Sequence, residues 1–424
     1  MVLTLFLTVS IFILTYAIII SEKINRMTIS FFGVILLVLF HVIDLKFAFS
    51  SIDFDTISLL IGMMIIVNIT KRTGVFQYIA IRSAKLAKGD PWKILLILSI
   101  ITAVSSALLD NVTTVLLIAP ITLVMTEALE INPIPFMFAQ ILSANIGGTA
   151  TLIGDPPNIM IGSETGLGFM DFVLNLLPVV IVIFISTLFL LKRRYKASLH
   201  VEERLKKKIM KMDEKLSLTD IKLLKKSMVV LTCTITGFAI HQFIGIETAT
   251  VALAGAAILL LISNIDPEEI LHEVEWVTIF FFAFLFILVA ALENVGVIDW
   301  IAHGMVALTK GNIVFTALLI LWVSAVASSF LDNIPFVATM IPLIKSIGAL
   351  SPMNITPLWW ALALGACLGG NGTMIGASAN VVVAGILEKH NHKISFIQYM
   401  KVAFPLMILS ICMATVYLYV FYLN

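Results

Sequence analysis

The chain carries the same polar residues twice, in the same order, 222 residues apart: Asp110-Asn111 in SSALLDNV returns as Asp332-Asn333 in ASSFLDNI. Gly147-Gly148 recurs as Gly369-Gly370 and Asn158 as Asn380 at the same offset, which holds without a gap back to Thr56/Thr278, Asp44/Asp266 and Thr28/Thr250. A repeat of this length, with polar residues at matched depths of apolar runs, marks a transporter built from two halves.

Composition says what solvent surrounds those halves. Of 424 residues, 60% are hydrophobic and only 12% charged. A water-soluble domain of this size needs more polar cover, so the solvent is lipid. Residues 2–20 lack the basic start and small-residue cleavage site of a signal peptide and read as a membrane span. Cys233, Cys367 and Cys412 lie far apart in apolar runs, as small hydrophobes and not as a disulfide frame or metal site. His241, His272, His303, His390 and His392 have no metal-ligand spacing, and the glycine stretches do not match a nucleotide-binding loop. No cofactor is expected beyond Na⁺ or H⁺ as coupling ion, and any ATP-driven pumping would need a separate ATPase subunit. The bilayer is the expected partner; nucleic acid is not.

Apolar runs near 2–20, 27–45, 54–70, 93–109, 112–129, 134–153 and 169–191 precede a charged stretch, and seven more follow between 228 and 422. A run of ~20 residues crosses a bilayer core. The organisation expected is a first repeat over 1–191, a basic linker over 192–227 and a second repeat over 228–424. Lys192–Lys226 holds 13 Lys/Arg against 5 Asp/Glu and is expected in the cytoplasm. Lys71, Arg72, Arg82, Lys85, Lys88 and Lys93 mark a second cytoplasmic surface, and Lys23 and Arg26 a third. Both termini then lie outside, in an inner (plasma) membrane. Asn264–Glu275 should also be inside, yet carries acids and no Lys or Arg. Leu205, Ile209, Met212 and Leu216 fall at helical spacing within the linker, which reads mainly as a solvated connector. Trp276, Trp300, Trp359 and Trp360 are expected at membrane interfaces.

Five crossings per half (2–20, 27–45, 54–70, 134–163 and 169–191 in the first) make the second half the inverse of the first. Residues 93–109 and 112–127 are then the arms of a re-entrant hairpin, matched by 313–331 and 334–349 entering from the other side. The expected fold class is an all-α polytopic membrane protein of two inverted-topology repeats, each with a re-entrant hairpin and a discontinuous helix. Gly74–Lys88 and Gly296–Lys310 are expected to run along the interface.

Candidate site residues lie at the tips and the breaks. A carboxylate at the depth of Asp110 or Asp332 costs several kcal/mol unless it is neutral, paired or wet. Helix capping accounts for part of the preference for Asp-Asn there; handling of an ion or proton accounts for the rest. The broken stretches Ser143–Asn158 and Gly365–Asn380 add Asn145, Gly147, Gly148, Thr149, Thr151, Asp155, Asn158, Gly369, Gly370, Asn371, Thr373, Ser378 and Asn380, and the first tip adds Thr113 and Thr114. Freed carbonyls and half-helix C-termini suit Na⁺, expected near Asp110, Asn111, Gly148, Asp332, Asn333 and Gly370; half-helix N-termini suit an anion. The halves differ where Asp155 matches Ala377, Thr149 matches Asn371 and Thr113-Thr114 match Pro335-Phe336. Cation coupling is therefore expected to lean on the first copy.

LDNVTT at Leu109–Thr114, LIGDPPN at Leu152–Asn158, FLDNIPF at Phe330–Phe336 and GGNGTMIGASANVV at Gly369–Val382 resemble the ion transporter superfamily. The resemblance is to its branch of arsenite permeases, NhaD-type sodium/proton antiporters and the melanosomal P protein, which shares a citrate-transporter-like domain. It implies a homodimer in which a transport part of hairpins and broken helices shifts past a scaffold like an elevator. It also implies ion sites at Asp110, Asn111, Gly147–Thr151, Asp332, Asn333 and Gly369–Thr373. Dicarboxylate carriers of the superfamily have Ser-Asn-Thr at these tips. Asp-Asn here argues against a dicarboxylate cargo, which a nearby carboxylate repels. The expected function is a secondary active ion transporter, not an enzyme. Its cargo is a small inorganic ion (arsenite, another anion or Na⁺) coupled to Na⁺ or H⁺, with a Na⁺/H⁺ antiporter proper as alternative. An intramembrane aspartyl protease and a passive channel are the remote readings.

Overall fold

A computed structural model of the chain describes residues 2–21 and 23–424, which form helices with no strand among them. The first half contains α1 (Val2–Ser21), α2 (Arg26–Leu39), α3 (Leu45–Ser50), α4 (Phe54–Lys71) and α5 (Val75–Leu86). It continues with α6 (Pro91–Leu108), α7 (Asn111–Ala128), α8 (Ile134–Gly148), α9 (Pro156–Thr165) and α10 (Phe169–Tyr195). After α11 (Glu203–Met210) come α12 (Ile221–Ile244), α13 (Thr248–Ser263), α14 (Pro267–His272), α15 (Trp276–Asn294) and α16 (Val297–Thr309). The chain ends with α17 (Ile313–Phe330), α18 (Asn333–Leu350), α19 (Thr356–Gly369), α20 (Ser378–Lys389) and α21 (Phe396–Tyr422). Shifted by the sequence offset, α1–α10 fall on α12–α21 helix by helix.

Among the described residues, ten helices are long and apolar enough to cross a membrane, including the four arms α6, α7, α17 and α18. Length alone would let each arm cross. Their pairing as hairpins follows from where the ends lie. The open end of the first hairpin meets the linker: α11 packs on α5 and α7, and Lys208 pairs with Glu130 at 3.1 Å just beyond α7. We call this the linker side. Helix α10 spans ~40 Å at 1.5 Å per residue and delivers Tyr195 to the linker, so its start at Phe169, with Glu164 just before it, is on the far side. Lys345, near the open end of the second hairpin, pairs with Glu164 there. The hairpins therefore enter from opposite sides.

Helices α4 and α15 repeat the inversion. Arg72, after α4, pairs with Glu269 (2.5 Å) and Glu273 (2.8 Å), before α15, so α15 begins where α4 ends. Two of the acids of 264–275, at odds with a purely basic surface, are thus partners for Arg72. Thr219 of the linker closes the same corner by donating to the Arg72 carbonyl (2.5 Å) and the Thr73 carbonyl (3.1 Å).

Four expectations need correction. Residues 27–45 do not form one continuous helix: α2 stops at Leu39 after 14 residues, or ~21 Å, and α3 follows after a turn. Trp359 and Trp360 are core residues and not interface markers; Trp360 packs edge-on against Phe172. Their helix, α19, is buried along its length, so packing overrides the indole's preference for interfaces. Part of the linker is helical and docked: Leu205 and Ile209 of α11 are buried, while Leu216, at the same spacing, is 82% exposed. Arg26 is not a solvated cytoplasmic marker, for its side chain turns inward to Asp332.

Candidate functional site

Each half builds the same corner from a hairpin and a broken helix. Ser106 donates to the Ala144 carbonyl and Ser328 to the Ala366 carbonyl, both at 2.6 Å. Thr151 donates to the Ala107 carbonyl and Thr373 to the Ser329 carbonyl, pinning each break to its hairpin tip. The glycines permit the approach. A Cβ on Gly147 would stand 2.2 Å from the Ala103 carbonyl oxygen, and one on Gly369 2.6 Å from that of Ala325. Gly147 and Gly369 therefore serve close helix packing; α8 runs to Gly148 and α19 to Gly369, and the chain unwinds only after them.

Unwinding frees carbonyls that lipid cannot satisfy. Asn158 donates to the carbonyls of Thr149 (3.2 Å) and Thr151 (2.9 Å), and Asn380 to those of Gly370 (2.7 Å) and Thr373 (2.9 Å). Both asparagines are fully buried. Their carbonyl oxygens bind across the halves. Asn380 accepts from Asn145 (2.9 Å), which also donates to Asn371 (3.0 Å), and Asn158 accepts from the Cys367 thiol at 3.5 Å. Asn111 of the first tip joins by donating to Asn145 at 3.1 Å.

The tips combine capping with exposure to a cavity. Asp110 accepts from the Thr113 N–H at 2.7 Å and Asp332 from the Ile334 N–H at 3.2 Å, so capping holds at both. Asp155 stands at the N-cap of α9 without making a side-chain capping bond. Its two oxygens instead accept from the Asn333 amide at 3.2 and 3.3 Å, joining the second tip to the first break.

A cavity of about 170 Å³ is lined by Asp110, Asn111, Asp155, Asn333 and Ser378, and by Arg26, Glu275 and Thr278. Beside it a second cavity of about 410 Å³ runs along Tyr16, Asn25, Arg26, Asp332 and Ser378. Of the candidate residues, Asp110, Asn111, Asp155, Asp332, Asn333 and Ser378 thus line two adjoining cavities. Asn145, Gly147, Gly148, Thr149, Thr151, Asn158, Gly369, Gly370, Asn371, Thr373 and Asn380 form the layer behind it and do not line either cavity. Thr113 and Thr114 sit in the first turn of α7, and the buried Thr114 hydroxyl has no hydrogen-bond partner among the described residues.

Arg26 and Glu275 escaped the sequence reading because both were taken as edge charges at span ends. One signal was available. At the repeat offset Arg26 matches Thr248, a charge that only one half carries, whereas Glu275 matches another acid, Asp53. The start of α15 also repeats that of α4: Thr56 donates to Asp53 at 2.5 Å and Thr278 to Glu275 at 3.1 Å.

Comparison with known proteins agrees with this architecture. The citrate transporter family profile (CitMHS) matches residues 16–365. An uncharacterized transporter of Mycobacterium tuberculosis is 45% identical over 421 residues, covering 98% of each chain. The human P protein is 34% identical over 489 aligned residues, covering 96% of this chain and 58% of its own length. Among solved structures, the YdaH transporter of Alcanivorax borkumensis, described as having an unusual topology, superposes with a TM-score of 0.59 at 12% identity. That match covers 99% of this chain and 97% of the other, a likeness of fold.

Proposed function

The chain belongs to the citrate transporter family, and on that premise we propose that it is a secondary active transporter exchanging Na⁺ for H⁺. The observation that carries this reading is the charge of the cavity region. Asp110, Asp155, Asp332 and Glu275 approach it, against the single guanidinium of Arg26. A tricarboxylate entering that field meets repulsion from the four carboxylates, whereas a small cation finds carboxylate and amide oxygens at ~2.3–2.5 Å range. In this reading Asp155, Asp110 and Asp332 supply the carboxylates that bind the cation, and Asn111 and Asn333 complete its shell. The layer of Asn145, Asn158, Asn371 and Asn380 holds the breaks in shape. Lys192–Lys226 faces the cytoplasm, both termini face outward, and two copies pair through a scaffold past which the hairpins and broken helices slide.

The test is flux in proteoliposomes with an imposed pH gradient, following ²²Na⁺, Li⁺, chloride, phosphate, arsenite and citrate in turn. Proton-driven ²²Na⁺ uptake is expected, lost in Asp155→Asn and reduced in Asp110→Asn. Citrate uptake that is indifferent to Na⁺, with wild-type rates in both variants, overturns the reading.

One observation favours a second reading, cation-coupled transport of an inorganic anion. Helices α9 and α20 begin at the cavity, with Pro156 and Ser378 on its wall, so two positive helix ends face it. Arsenite or phosphate uptake that requires Na⁺ would select this alternative.

A further inference from the structure

Arg26 reaches Asp332 from a different part of the molecule. Asp332 belongs to the tip between α17 and α18, and Ser378 to the start of α20. Arg26 opens α2, which packs on α1 and α15. Its Nη1 stands 2.5 Å from Asp332 Oδ2 and donates to Ser378 Oγ at 2.9 Å; Ser378 in turn donates to Asp332 at 3.0 Å. The guanidinium lies 5.0 Å from the ring centre of Phe281. Phe281 is five residues along α15 from Trp276, so the charge sits ~8 Å in from that helix end.

A static structural salt bridge accounts poorly for these facts. A pair kept only for stability is seldom better than apolar packing at such a depth. This pair lines a cavity, with side chains 28% and 15% exposed, where a solvated ion has access to the carboxylate. Both polar contacts run through one nitrogen and not through the two-pronged fork that makes Arg–carboxylate pairs strong. The repeat also excludes Arg26 from the machinery the halves share, since the matched residue is Thr248.

We propose that Arg26 is a tethered cation that occupies the Asp332 carboxylate in competition with a free alkali cation, and that it fastens the second hairpin tip to the α1–α2 corner until that ion displaces it. The cation class rests on the function proposed above; the competition itself is a binding property and needs no transport to be seen. While Arg26 is engaged, the tip is neutral and held. When Na⁺ takes the carboxylate, the guanidinium is released toward the cavity and the ring of Phe281, and the ties between α2 and the tip through Asp332 and Ser378 are gone. Arg26 is thus a positioning residue, acting on the ion through Asp332.

The experiment is equilibrium binding of ²²Na⁺ to the purified full-length protein in detergent, at one fixed pH, for wild type, Arg26→Gln, Arg26→Lys, Asp332→Asn and the double variant Arg26→Gln/Asp332→Asn. Removing a partly exposed competitor should tighten Na⁺ binding about tenfold in Arg26→Gln. Arg26→Lys keeps a shorter, differently shaped cation and should tighten it about threefold. In the Asp332→Asn background the Arg26→Gln effect should vanish, because the contested carboxylate is gone. Melting curves establish that each variant is folded; if Arg26→Gln is not, the lysine variant carries the test. An unchanged Na⁺ Kd in both Arg26 variants, a shift that persists without Asp332, or no Na⁺ binding by the wild type overturns the proposal. A shift in binding without any ion flux would instead sink the transport reading and leave the competition standing.

Discussion

Asn380 lets the energetics of the broken helices be tested without reference to any ion. Its amide nitrogen donates to two carbonyls of the unwound strand, at 2.7 and 2.9 Å, and its oxygen accepts from Asn145. Replacing it with alanine strands two buried carbonyls. At about 1–2 kcal/mol per stranded carbonyl in a membrane interior, with Asn145 keeping Asn371 as acceptor, Asn380→Ala should destabilise the protein by about 2–4 kcal/mol. Asn380→Asp is isosteric and more damaging: it removes both donors and sets a carboxylate oxygen against the two carbonyl oxygens. An uncompensated buried charge adds about 3–5 kcal/mol. Acid should narrow the gap, because a protonated carboxyl recovers one donor. Asn158→Ala, at the matched place in the first half, should resemble Asn380→Ala, since it too leaves two carbonyls unpaired. Scanning fluorimetry of the detergent-solubilised protein at pH 8 and pH 5 measures the order. Wild type should melt highest, the two alanine variants next and Asn380→Asp lowest, with the last rising at pH 5. If Asn380→Asp melts with the wild type at pH 8, or if one alanine variant is silent while its counterpart is not, the account of paired staples is wrong.

Two other outcomes are expected. Gly147→Ala and Gly369→Ala drive a methyl into backbone oxygens of Ala103 and Ala325 and should each cost about 1–3 kcal/mol. Gly385→Ala, in the open interior of α20, should stabilise by about 0.5–1 kcal/mol, and equal melting temperatures for all three would refute the packing argument. On the linker, Lys85 bonds Glu214 at 2.5 Å and the Met212 carbonyl at 3.1 Å, and the Lys85 contact holds the Glu214 carboxyl below the ordinary glutamate range. A carboxyl lowered on folding contributes fully above its unfolded value and loses that contribution as pH falls through the lowered one. Protection factors for hydrogen exchange over 203–217, taken relative to the intrinsic rate at each pH, should therefore fall on acidification, and fall already at neutral pH in Lys85→Gln; unchanged protection in that variant would show that the contact does not hold the linker.

Legibility in the sequence tracked how far each partner lies along the chain. The doubled Asp-Asn and Gly-Gly pairs stand out because polar residues are rare in apolar runs, and their offset alone pairs the helices of the two halves. Which polar group meets which was hidden. Asn145 bonds residues more than 200 positions away, and Asp155 meets Asn333 across the halves. The layer behind the cavity also looks like a ligand set in sequence, because Thr and Asn that serve a backbone carbonyl are the same letters as Thr and Asn that serve an ion. Arg26 and Glu275 were missed because a charge at a span end is ordinarily solvated, and its inward turn depends on a tip 306 residues on in one case. Trp359 and Trp360 misled in the opposite sense, through a preference that burial overrode.

The carboxylates at the cavity also have an electrical meaning. Four carboxyl groups (Asp110, Asp155, Glu275 and Asp332) against the one guanidinium of Arg26 let the unfilled region carry up to about three negative charges inside a low-dielectric wall, fewer for each carboxyl that is protonated. Each charge that crosses the whole membrane field exchanges about 2.3 kcal/mol of work per 100 mV. An empty site and a filled one therefore answer to voltage with different strength. On the proposed exchange of Na⁺ for H⁺, the number of ions that enter decides whether membrane potential drives the loaded form, holds it back or leaves it alone.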